Sequence, residues 1–80
     1  MARVRNLERG TQNIRVAPTE VDCFYQLVDG ADGTRYLHLS TFGSDSRRSG
    51  PKSSQSMQLD EHAAAELVAV IRDAFPGIDS

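Results

Sequence analysis

Few residues in this chain have side chains suited to covalent chemistry. Cys23 and His38 fall in neighbouring strand-like segments, an arrangement that invites a thiol–imidazole pair. Alternation puts Cys23 on one face with Val21 and Leu27, so the ordinary expectation is a small, inert, buried thiol. His62 has neither His nor Cys three or four residues away, and so lacks a zinc-ligand spacing. Ser49-Gly50-Pro51-Lys52 has the form Ser-x-x-Lys. That pair needs a rigid helical turn to bring amine and hydroxyl together, and Gly-Pro prevents the helix. Residues 43–52 also fail to match Gly-x-x-x-x-Gly-Lys-Ser/Thr. The expectation is a protein without catalytic site, metal or cofactor.

The remaining chemistry is non-covalent. Arg47, Arg48 and Lys52 crowd a segment that also holds Ser44, Ser46, Ser49, Ser53 and Ser54. Cations with small hydroxyl donors suit phosphate oxygens. The flanking strands place Tyr36, His38, Ser54, Ser56 and Gln58 on one expected sheet face. Flat rings there are suited to stacking on bases, and Arg15 and Arg35 add charge nearby. The expected partner is single-stranded DNA or RNA. The bland alternatives are a solvated loop and rings packed on neighbouring strands. A second functional reading is an interaction or regulatory module that binds a larger bacterial or phage protein through the same loop and sheet.

These residues need elements to position them. Residues 1–10 carry Arg3, Arg5 and Arg9 with little apolar content and read as a mobile or edge-pairing arm, ahead of one domain over residues 11–80. Residues 13–17 read as a short first strand ended by Pro18. Residues 20–28 and 34–42 read as strands joined through Asp29-Gly30-Ala31-Asp32-Gly33, a hairpin signal. Residues 43–53 read as a loop and 54–59 as the fourth strand. Asp60 is an expected N-cap for a helix over residues 61–75, stopped by Pro76-Gly77. Ala64, Leu67, Val68, Ile71 and Phe75 make its apolar face. The predicted class is α+β: a four-stranded antiparallel sheet followed by one C-terminal helix.

Eighty residues make one domain, and a chain this short has a small core. A single cysteine allows no internal disulfide. Ala63, Val70 and Ala74 widen the helix face beyond what a small sheet covers. We therefore expect a homodimer with Ala63, Leu67, Val70 and Ala74 near its interface. Net charge is −2, but residues 1–59 hold eight Arg/Lys against six Asp/Glu, and residues 60–80 hold one against five. The sheet half can thus present a positive face. No apolar run reaches membrane-spanning length, and MARVRNLERG lacks a signal-peptide core; the expected location is the cytoplasm.

The run Gly50-Pro51-Lys52-Ser53-Ser54-Gln55-Ser56-Met57-Gln58-Leu59, followed by a capped helix, resembles the single-stranded-DNA-binding transcriptional coactivators of the positive-cofactor type. The likeness covers residues 35–75. It implies a curved four-stranded antiparallel sheet with one helix, a homodimer packed through helices, and sheets that grip single strands. Lys52 matches the turn lysine, Ser56 approximately the strand serine and Leu67 a helix core leucine. Ser53 or Ser54 stands where that family has glycine after the lysine, and the usual helix tryptophan is missing. Phe42-Gly43-Ser44, Arg47 and Lys52-Ser53-Ser54-Gln55 also resemble a pattern in small uncharacterised bacterial proteins, which implies no activity.

Overall fold

The computed structural model describes residues 1–42 and 53–79. The elements are β1 (Ala2–Val4), β2 (Cys23–Asp29), β3 (Arg35–Phe42), β4 (Ser53–Leu59) and α1 (Glu61–Ala74). The α+β class and the order β-β-β-β-α hold. The sheet order is β1-β4-β3-β2. β2, β3 and β4 form an antiparallel meander, as alternation and the Gly-rich turn require. β1 instead lies parallel to β4, with Ala2 opposite Met57 and Val4 opposite Leu59. The sheet is therefore mixed, and the purely antiparallel expectation is corrected.

The first strand is also relocated. Residues 13–17 have strand-like alternation but pair with no strand among the described residues, whereas Ala2–Val4 pairs at the sheet edge. A strand needs a neighbour for its backbone groups, and β4 offers its free edge to residues 2–4.

The β2–β3 turn follows its residue types. The Gly30 N–H donates to the Thr34 carbonyl at 2.8 Å, and the Gly33 N–H to the Gly30 carbonyl at 3.0 Å. Gly33 has φ +85°, a left-handed conformation that glycine adopts without a Cβ clash. Asp32 Oδ1 accepts the Thr34 N–H at 3.0 Å. That bond favours the ionised carboxylate and holds the Asp32 carboxyl below its usual range.

The helix begins where its cap stands. Asp60 Oδ1 accepts the Ala63 N–H at 2.9 Å, satisfying a donor of the first turn. The helix lies over one end of one sheet face, where Leu59 and Ala63 are 2% and 0% exposed. Leu27 and Leu37 line the groove of about 610 Å³ between that end of the sheet and the first helical turn. Asp60→Ala should cost about 1 kcal/mol of stability in urea unfolding, with Asp60→Asn retaining most of it. An unchanged midpoint in Asp60→Ala would mean that the cap carries no stability.

Coverage stops there. Tyr25 is 73% exposed on the helix-bearing face, and Leu27 and Met57 also stay exposed. Cys23, Leu39, Thr41, Gln55 and Met57 line an open groove of about 370 Å³ on that face beyond the helix. On the helix, Val68, Val70 and Phe75 are exposed.

Candidate nucleic-acid interface

Strand alternation and register decide which side chains meet. Tyr36, His38 and Ser40 of β3 stand opposite Val28, Gln26 and Phe24 on β2, and His38 and Ser40 opposite Gln58 and Ser56 on β4. All share the face away from the helix. β1 adds Arg3, which stands opposite Gln58. The expected grouping of Tyr36, His38, Ser56 and Gln58 on one face is therefore present.

The centre of this face is organised by polar contacts. Gln58 Nε2 lies 3.1 Å from His38 Nδ1 and 3.4 Å from Met1 Sδ. With the Gln58 amide donating, Nδ1 of a neutral His38 accepts, and the ring carries its hydrogen on Nε2. That N–H is then a donor for a ligand. Ser40 is buried between the cross-strand positions of Phe24 and Ser56. Phe24 and Phe42 meet edge to face, with ring centroids 5.3 Å apart and planes at 83°. Phe24 stays 57% exposed, so a flat apolar ring is offered to solvent on β2. Alternation within residues 20–28 contains this signal, but Phe24 was not among the expected binding residues.

Other expected residues are placed elsewhere. Arg35 projects on the helix-bearing face, not with Tyr36 and His38. Its Nε donates to Asp29 Oδ1 at 3.0 Å, which favours the charged guanidinium. The pair is well exposed, and Arg35 already serves its own hairpin. Arg15 lies in the exposed segment between β1 and β2. Ser54 lies in β4 near the irregularity at which Phe42 pairs with Ser53 and Thr41 with Gln55. Arg47, Arg48 and Lys52 lie outside the described residues; in the chain they fall between Phe42 and Ser53.

The dimer set is divided by its surroundings. Ala63 is completely buried within the chain itself, so its methyl group is not free for a partner. Leu67 is half-buried, and Val70 and Ala74 are exposed on the same stripe further along the helix. The sheet covers the start of the stripe and not its end.

Cys23 is exposed, correcting its expected burial. It stands opposite Thr41 on the helix-bearing face, while His38 stands opposite Gln26 on the other, so the two cannot act as nucleophile and base together. His62 Nε2 faces Glu66 Oε1 at 3.7 Å, and the same Oε1 accepts the Leu7 N–H at 3.3 Å. Among the described residues no three His, Cys, Asp or Glu side chains gather as metal ligands. No helix among them is long and apolar enough to cross a membrane. Compared with protein-family models, curated proteins and solved structures, the chain has no match.

Proposed function

We propose that this protein is a non-enzymatic, single-stranded nucleic-acid-binding module that works as a homodimer in the cytoplasm. The observation that carries the reading is the open sheet face. The helix packs on the other side, leaving Tyr36, His38 and Phe24 with Ser40, Ser56 and Gln58 on one surface. In the chain, the segment with Arg47, Arg48 and Lys52 connects β3 to β4, the two central strands of the sheet. Cations attract the backbone, and rings accept any base by stacking. Dimer formation would cover the exposed helix positions Val70 and Ala74. The likeness to coactivators of the positive-cofactor type supports both parts of this reading.

The experiment is a salt titration of binding to short single and double strands of DNA and RNA. Single strands should bind more tightly, with affinity falling as salt rises. Arg47→Ala combined with Lys52→Ala should remove two phosphate contacts, each about 0.7 of the log–log slope on single strands. Folding should change by less than about 0.5 kcal/mol. Absence of salt-sensitive binding to any strand would favour the second reading, a module that binds a larger protein. The exposed apolar side chains Tyr25 and Met57, on the sheet face beyond the helix, are the observation that favours that reading.

A further inference from the structure

Residues 13–17 pose a question that the fold alone does not answer. Ile14 and Val16 alternate with Asn13, Arg15 and Ala17, a strand pattern. The segment forms neither helix nor turn between bends at Gln12 and at residues 18–19. No strand among the described residues pairs with it, and Ile14 and Val16 are 75% and 96% exposed. A strand-patterned segment with two bare β-branched side chains has the makings of a strand without its neighbour.

The area of the whole chain poses the same question. It exposes 7273 Å² for a mass of 8.8 kDa. A compact folded chain of that mass exposes roughly 4,800 Å². The excess, roughly 2,500 Å², is well above the ~800 Å² per partner of a standard interface.

We infer that residues 13–17 of one copy pair as a strand with the outer edge of β2 in a second copy, and reciprocally. This brings Arg15 of each copy onto the partner's open aromatic face. β2 is the longer of the two sheet edges, seven residues against three in β1, and its outer backbone groups have no strand beside them among the described residues. Such an edge is a template for strand addition. The apolar pattern then sets the register. Ile14 and Val16 turn towards the helix-bearing face, beside exposed Tyr25 and Leu27. Arg15, one residue out of phase, turns to the other face, beside Gln26 and Val28.

That placement completes the site. Among the described residues, Arg3 is the cation that the four strands put on the open face, and it sits at the β1 margin. Arg15 from the partner supplies a cation at the β2 margin. A strand laid across Tyr36 and His38 then has positive charge on both flanks. The pairing stands independently of the nucleic-acid reading, whereas the role of Arg15 rests on it.

The pairing is tested first without nucleic acid. Wild-type protein at tens of micromolar (roughly) should sediment as a dimer. Backbone amides within residues 13–17 should exchange about 100-fold or more slowly than free amides, and lose that protection on dilution to monomer. Ile14→Asp with Val16→Asp changes only exposed side chains, so the single chain should keep its helical circular dichroism. Dimerisation should weaken by about 100-fold or more. A monomeric wild type would overturn the inference, as would a dimer with unprotected residues 13–17, or a double variant that dimerises normally. Protection independent of concentration would mean pairing within one chain and would also overturn it. Arg15→Ala should remain dimeric and lose about 0.7 of the single-strand salt slope. An unchanged slope would remove Arg15 from the face. A protected dimer that binds no strand would support the pairing and refute the proposed function.

Discussion

Leu59→Ala should remove a large part of this protein's stability. Among the described residues Leu59 is the largest fully buried side chain, at 2% exposure, and it stands opposite Leu37 on β3 and Val4 on β1. It is also the last residue of β4, directly before the helix cap Asp60. Truncating it opens a cavity where three strands meet the helix, and such changes cost about 2–5 kcal/mol. Stability of about 0.05–0.15 kcal/mol per residue gives a chain of this length roughly 4–12 kcal/mol in all, so the loss is a large fraction of it. Thermal unfolding should show a midpoint lower by roughly 10 °C or more. Leu59→Met keeps the volume and should cost less than about 1.5 kcal/mol. A loss below ~1 kcal/mol in Leu59→Ala would mean that this corner is not the packed centre of the fold. If the protein is a dimer, both variants must be compared at one concentration, because association adds to apparent stability.

Local chemistry made much of this fold legible. The helix announced itself through Asp60, a stripe of apolar residues and Pro76-Gly77, and it spans Glu61–Ala74 with Phe75 as its cap. The β2–β3 hairpin followed from Gly30, Asp32 and Gly33, whose turn-forming preferences belong to those residues alone. β1 was not legible. Ala2–Val4 is too short to show alternation, and its partner lies more than fifty positions away in β4. Residues 13–17 show the converse, a local pattern stronger than any pairing within the chain. Strand formation is decided by the neighbour, which no local pattern contains.

The site divides along the same line. Alternation was enough to put Tyr36, His38, Ser56 and Gln58 on one face, because the period of a strand is fixed. It was equally enough to put Arg35 on the other face, yet charge alone had grouped Arg35 with them. Which face the helix would cover, and how little of it, depended on the length and direction of α1 across the sheet. That geometry left Cys23 exposed where a core position was expected.

Tyr36→Ala should weaken single-strand binding by roughly 1–3 kcal/mol, about 5- to 150-fold, and the loss should persist at high salt. Tyr36 is half-buried on β3 opposite Val28, with its ring edge against the hairpin turn. A Cβ placed on Gly30 would lie 3.6 Å from Tyr36 Cε2, so the glycine leaves room for the ring there. The ring is thus held on one side while part of its surface remains open, an arrangement that lowers the entropy lost on stacking. Charge behaves differently: the Debye length shrinks from about 10 Å at 0.1 M salt to 3 Å at 1 M. Arg48→Ala should therefore weaken binding at low salt and have little effect at high salt. Tyr36→Phe keeps the ring face and should bind nearly as well as the wild type. Because the ring also packs against the turn, Tyr36→Ala should lower the melting temperature by a few degrees, and binding must be measured well below that midpoint. The two contributions separate on one variant. A folded Tyr36→Ala protein with full affinity would exclude stacking on this residue and leave the open face an electrostatic grip on the backbone.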